Sequence, residues 1–310
     1  MTKSKIPVGS IVVGADGSEH SDRAVTWAAR QASRERRPLV ILHSCDQITL
    51  RDTRWLDVQG IDHVALARAL RSGADALLTT VQRQAALEAP DIEIQAHVVD
   101  ADPRDALIDA SATAELVVVG SRGRGPLRSL VLGSVSTAVA RHAVSPVVVC
   151  RPPGTPARRP RVLVGADGTP SSVAVIEFAF RQASLRNLPL TVMHCFFDVV
   201  TASSGPQLVA ADDRALGPEL DEFRLLLAES VAGLREKFPD VPVDLQLARG
   251  LVDECLLDQA PSAELIVVGR RHARGLDRFL YASCALAVLE RATTTVAVVP
   301  ENDPSEHSLT

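Results

Sequence analysis

At 310 residues and 46% hydrophobic content, the chain is long enough for two domains of ordinary size and too apolar to be disordered. Its net charge of −5 argues against a general binder of nucleic acid or of anionic membrane. No apolar run approaches the roughly 20 residues that span a bilayer.

Five cysteines (Cys45, Cys150, Cys195, Cys255, Cys284) are scattered, odd in number and without a Cys-x-x-Cys pair, which points to a reduced, cytoplasmic protein with neither a disulfide frame nor a zinc site. The segment Met1 to Gly9 has Lys3 and Lys5 but no long apolar stretch or cleavage signal, and reads as an arm before the first strand.

An internal repeat sets the domain count. Residues 10 to 44 align without a gap on residues 161 to 195, with 14 of 35 positions identical. Ala114-Glu115-Leu116 to Gly120 pairs likewise with Ala263-Glu264-Leu265 to Gly269. These matches give a first domain over 1–151, a proline-rich linker over 152–160, a second domain over 161–300 and a polar, disordered tail over 301–310.

In chain order, Ser10 to Val13 reads as a strand and Gly14-Ala15-Asp16-Gly17-Ser18 as a turn. A helix follows from about Ser21 to Arg36, capped by Ser18 or Ser21, with Ala24, Val25, Ala28 and Ala32 at helical spacing. Trp27, opposite Phe178 in the repeat, is expected in the core. Leu39 to His43 is a second strand. Residues 46 to 63, with Trp55, are irregular. Val64 to Leu87 is a long amphipathic helix and Ile92 to Val99 a third strand. Asp102-Pro103 opens a helix to about Thr113, with proline in its first turn. The second half repeats the order, with strands near 162–165, 190–195, 243–248, 265–268 and 295–299 and a long helix over Glu219 to Lys237. Alternating strands and helices imply a parallel sheet covered on both faces. The fold class is therefore α/β: two tandem doubly wound domains, each an open five-stranded, mostly parallel sheet.

The stretch Glu115 to Arg151 carries the chemistry. A short β-branched run, Leu116 to Val119, leads into a glycine-rich loop (Gly120, Gly123, Gly125), and Gly133-Ser134 opens a helix ending near His142, before the strand Val147 to Val149. Unbonded N–H groups and the dipole at a helix start favour an anion, and the glycines let the backbone approach one closely. There is no Gly-Lys-Ser/Thr P-loop, and the first strand is not followed by Gly-x-Gly-x-x-Gly. A plain tight turn is the alternative reading of the glycines, and an Asx turn that of Asp16 and Asp167. His43 and His194, at matching strand ends, read as structural or site-wall histidines, and the pairs Asp102/Asp105 and Asp212/Asp213 as caps or solvated charge.

The spacing of Gly120, two residues, Gly123, nine residues and Gly133-Ser134, behind a first-strand Asp16, resembles the nucleotide motif of the universal stress protein family, and the resemblance covers almost the whole chain. It implies a Rossmann-like fold in which Asp16 and Gly120 follow neighbouring strands at the switch in winding. It also implies ATP, with Mg, as ligand. Ala15 and Asp16 would lie by the ribose and the metal-bound phosphates, Ser44 would meet adenine through its backbone, and Gly120, Gly123, Gly133 and Ser134 would hold ribose and phosphates. Val135 and Ser136 lie alongside, and Arg122, Arg124 and Arg128 add positive charge. The second half keeps Asp167, Gly269 and Ser283 and has Cys195 at the place of Ser44. It puts His272 and Ala282 at the second and third glycines, so its motif is degenerate: a second nucleotide site through Asp167, Cys195, Gly269 and Ser283 and a retained fold used for dimerisation or regulation both stand, and Arg270, Arg271 and Arg274 keep the loop basic enough for a different anion.

The resemblance implies a nucleotide-sensing regulator of stress response or growth arrest. It would be a homodimer or an intramolecular pseudo-dimer through antiparallel fifth strands, Val147 to Val149 and Val296 to Val299, acting on a regulatory protein partner, with no role for nucleic acid or membrane. Two alternatives stand beside it: a slow Mg-dependent ATPase with no evident general base beyond Asp16, and a nucleotide-independent dimeric adaptor.

Overall fold

In the computed structural model, the described residues are 6–45, 63–123, 132–152, 160–197, 205–209, 218–270 and 277–301. The chain divides into two compact units, Met1–Cys150 and Arg151–Thr310. The expectations for Trp55, Gly125, Arg124, Arg128, Arg271, His272, Arg274, Asp212/Asp213, most of the linker and the tail beyond Glu301 lie outside the described residues.

The first unit runs β1 (Ile11–Gly14), α1 (Glu19–Glu35), β2 (Leu39–Ser44), α2 (His63–Glu88), β3 (Ile94–Val99), α3 (Pro103–Ser111), β4 (Leu116–Gly120), α4 (Ser134–His142) and β5 (Val147–Cys150). The sheet order is β3-β2-β1-β4-β5, every pairing parallel. The chain winds outward from β1 through β2 to β3, then returns to the other side of β1 with β4. Ile11, Val12 and Val13 stand beside Leu116, Val117 and Val118. All six are at most 1% exposed, as strands covered on both faces must be, and this is why they read as unbroken apolar runs. Helix α1 packs with α2, and α3 packs with α4.

The local signals act as physical chemistry requires. Ser18 is the cap of α1 and accepts from Ser21 N at 3.2 Å. Asp102 caps α3 by accepting from Arg104 N at 2.8 Å, with Pro103 at the first helical position. The Arg104 guanidinium bonds both Asp102 oxygens, at 2.9 and 2.6 Å, and pulls that carboxyl down to about 2. Trp27 is half-buried where a core residue was expected, while Phe178 is buried; an indole is too large to be covered readily by one helix face.

The second unit contains β6 (Arg161–Gly165), α5 (Val173–Arg186), β7 (Leu190–Phe196), β8 (Gln207–Leu208), α6 (Pro218–Lys237), β9 (Val243–Arg249), α7 (Val252–Gln259), β10 (Ala263–Arg270), α8 (Asp277–Arg291) and β11 (Thr295–Pro300). Its order is β11-β10-β6-β7-β9-β8. It differs from the expected five strands by β8, two residues that pair antiparallel with β9 through Gln207↔Arg249 and Leu208↔Ala248. The long β7–α6 connection carries these residues back along β9 and supplies partners for its backbone groups.

His194, on β7, is buried against the Phe223 ring, with centroids 4.8 Å apart. Burial holds its pKa below the free value, against a hydrogen bond to the Ala166 backbone that raises it. The unfolded chain therefore takes up this proton at higher pH than the folded chain. Stability from this group is complete above the free-histidine pKa of about 6.5 and is lost as pH falls from there through the folded pKa, by at most about 1.4 kcal/mol per pH unit. Urea midpoints measured from about pH 7.5 to about pH 5 are expected to fall with pH, and to fall less steeply in His194→Asn.

Candidate functional site

The β1–β4 switch puts two loops side by side at the carboxyl ends of the strands, where open α/β sheets bind ligands. A cavity of about 780 Å³ opens there. Ala15, Asp16, Ser44, Gly120, Arg122, Gly123, Gly133, Ser134, Val135 and Ser136 all line it, so the structure gathers the ten residues singled out in the first half into one wall.

Its two ends differ in chemistry. One end is apolar, made by Leu42, Val99, Pro103, Ala106 and Leu107. Ser44 stands there with its hydroxyl donated to the Ala101 carbonyl, so the backbone and Cβ are what it presents. The other end is the glycine loop and the head of α4. The first intrahelical bond of α4 is Thr137 N to Gly133 O, at 3.0 Å, and its N-cap Gly133 offers no side-chain acceptor. The N–H groups of Ser134, Val135 and Ser136 thus have no acceptor within the helix, and together with the dipole they favour an anion. Two bonds fix this helix head to the sheet: Ser136 Oγ to Gly120 O at 2.6 Å and Gly133 N to Ser121 O at 2.8 Å.

Asp16 is held in both senses weighed from the sequence. Its Oδ1 accepts from Ser18 N at 2.9 Å, which is an Asx turn, while a Cβ on Gly123 would stand 2.7 Å from its Oδ2. The turn therefore aims the second oxygen across the cavity at the glycine loop. Gly120 is needed for closeness too: a Cβ there would stand 2.7 Å from the His20 backbone. His43 is a wall residue whose Nδ1 donates to Ala15 O at 2.7 Å, which fixes its tautomer.

Sequence reasoning passed over Glu19 and His20, which also line the cavity. His20 Nδ1 meets Ser121 Oγ at 3.2 Å. Their position in the first turn of α1, directly after the Asp16 turn, was the available signal. The apolar wall from α3 had none, because Ala106 and Leu107 look like any buried helix face.

The second unit has a smaller cavity, about 320 Å³, lined by Asp167, Cys195 and Gly269. Ser283 lies on α8, with its side chain outside the described residues. Arg270 is buried, and its guanidinium pKa is lowered by burial. Asp167 repeats the Asx turn, its Oδ1 accepting from Thr169 N at 3.0 Å. The new feature is Glu301: a Cβ on Gly269 would lie 3.0 Å from Glu301 Cδ. A carboxylate over that glycine opposes a phosphate in the corresponding place.

A doubly wound α/β unit present twice, with a glycine loop and a helix head at the switch point of the first, defines a tandem protein of the Rossmann-like class. The universal stress protein family model matches residues 8–151 and again 159–300, and the chain belongs to that family. It is similar to a universal stress protein of Mycolicibacterium smegmatis, 34% identical over 298 residues, covering 93% of this chain and 96% of the relative. It is also similar to universal stress protein Rv2005c of Mycobacterium tuberculosis, 32% identical over 297 residues, with 94% and 97% covered. Among solved structures, a universal stress protein of Archaeoglobus fulgidus shares the fold at a TM-score of 0.68 and 18% identity, covering 94% of this chain and 98% of that one. Among the described residues, no helix is long and apolar enough to cross a membrane.

The two glycines make a paired test. Gly120→Ala forces a Cβ onto the His20 backbone and is expected to cost about 1–3 kcal/mol of stability through overpacking. Gly133→Ala, whose Cβ finds its nearest atom at 3.4 Å, is expected to cost less. Thermal unfolding of the two variants checks the order.

Proposed function

We propose that the first unit binds ATP, with Mg, in the cavity between β1 and β4, and that the protein is a nucleotide-sensing regulator in stress response or growth arrest. The observation that carries this reading is the polarity of that one cavity. An apolar end suits a purine, and a glycine-lined end under the N–H groups of Ser134, Val135 and Ser136, which have no partner within the helix, suits a polyphosphate. At about 780 Å³ the space lies within the ~300–1,000 Å³ usual for small-molecule sites.

In this reading Leu42, Val99, Ala106 and Leu107 enclose the base, and the Ser44 backbone meets its edge. Gly120 and Gly123 admit ribose and phosphates close to the main chain. Arg122 adds positive charge, and Asp16 stands where a phosphate-bound Mg ion is carried in. Among the described residues no group of three or more His, Cys, Asp and Glu side chains is arranged to hold a metal, so the phosphates supply most of its ligands. Binding shifts the population toward one assembly, a homodimer, that a protein partner reads. Five free cysteines suit a reducing compartment such as the cytoplasm. The second unit, with Glu301 over Gly269, does not share the ligand.

Gly133→Glu tests the reading. The Cβ has room, since its nearest neighbours are Arg122 Cα at 3.4 Å and Ser121 O at 3.5 Å, so the fold survives. The added carboxylate enters the anion site. Titration with Mg-ATP is expected to show an affinity loss on the order of a hundredfold, about 2.7 kcal/mol, with an unchanged circular dichroism spectrum. Wild-type affinity in that variant would refute the site.

A further inference from the structure

Three of the five cysteines stand where the second unit repeats the wall of the first cavity. Cys195 is the counterpart of Ser44. Val99 and Ala248 hold the same register place, opposite Ser44 and Cys195, and counting on from them sets Ala106 against Cys255. Ser134 aligns with Ser283, which sets Val135 against Cys284. Ser44, Ala106 and Val135 all line the first cavity, so three wall positions have become thiols in the second. Cys195 and Cys284 line that cavity directly.

Two of these sulfurs are close neighbours. Gly250 N donates to Phe196 O at 2.9 Å, which places Gly250 beside the end of β7, next to Cys195. Cys255 Sγ lies 2.9 Å from where a Cβ on Gly250 would stand, so it reaches toward the same strand end from the first turn of α7. The two thiols are near enough for each to shift the other's ionisation. All five cysteines are free.

We propose that Cys195 and Cys255 form a peroxide-oxidised dithiol, whose disulfide ties the head of α7 to the end of β7 beside the second cavity.

The electronic setting favours this pair over Cys284. The neighbouring Cys195 thiol lowers the Cys255 thiol from its ordinary value, against burial and Glu254, Asp258 and Asp253. Cys255, with burial, raises Cys195, which is therefore the proton-bearing partner. Burial, Asp253 and Glu301 push Cys284 up to about 12, so it remains a thiol and is a poor nucleophile. The oxidant is hydrogen peroxide, which is small enough to enter the cavity lined by Cys195 and reach the Cys255 sulfur beside it. The Cys255 thiolate attacks one peroxide oxygen and breaks the O–O bond, giving a sulfenic acid and hydroxide, which takes up a proton to become water. The Cys195 sulfur then attacks the sulfenic sulfur, forming the S–S bond and releasing a second water as its own proton leaves. Overall two thiols lose two hydrogens and one peroxide becomes two waters; a dithiol reductant reverses the step.

The test uses the full chain. Reduced protein is treated with hydrogen peroxide, quenched with catalase, unfolded in N-ethylmaleimide, digested and mapped by mass spectrometry. Labelled thiols are expected to fall from five to three, with a Cys195–Cys255 linked peptide that dithiothreitol abolishes. Cys284→Ser is expected to keep the link. Cys195→Ser is expected to lose it and leave Cys255 as a sulfenic acid that dimedone traps. Five labelled thiols after peroxide, a bridge between any other pair, or over-oxidation of one sulfur without a bridge would overturn the proposal.

Discussion

The parallel pairing of β1 with β4 is the constraint on which the first site rests. Five strands in the order β3-β2-β1-β4-β5 force the chain to leave neighbouring strands in opposite winding directions. Two loops distant in sequence, around Asp16 and around Gly120, then open into the same gap. Nothing polar fills the strands themselves: Ile11 to Val13 and Leu116 to Val118 are buried on both faces, and that burial, at about 25 cal/mol per Å² of apolar surface, holds the pair together. The side-chain work is left to short ties. Ser136 Oγ on Gly120 O and Gly133 N on Ser121 O hold the head of α4 against the end of β4, and the Asx turn holds Asp16 across from it.

Much of this was legible in the sequence because the signals are local. Ser18 and Asp102-Pro103 mark helix starts, the apolar runs mark strands, and the ten residues Ala15 to Ser136 lie together because each is within three residues of a strand end or a helix start. What was not legible depends on packing. Ala106 and Leu107 enter the wall only because α3 lies over the switch, and no pattern separates such residues from an ordinary core face. Strand β8 is two exposed residues inside a long connection, too short for any periodicity. Trp27 shares a helix with core alanines but lies at the margin of the buried face.

The two units carry one plan to different ends. The first keeps small residues at the glycine loop and an open cavity. The second keeps the Asx turn at Asp167 and the strand-end histidine, but sets Glu301 over Gly269 and has cysteine at the counterparts of three residues that line the first cavity. Its cavity is less than half the volume of the first, about 320 against about 780 Å³. The repeat in sequence is therefore a repeat of scaffold. Fold is preserved by the buried strands, while the wall positions, which contribute little to the core, were able to diverge in chemistry.

The central claim is that one unit binds an adenine nucleotide and the other does not. Freshly purified protein, denatured and chromatographed for adenine nucleotides after equilibration with Mg-ATP, measures it directly. The account predicts one nucleotide per chain, recovered as ATP. Two per chain would contradict the exclusion by Glu301, and none would contradict the site itself.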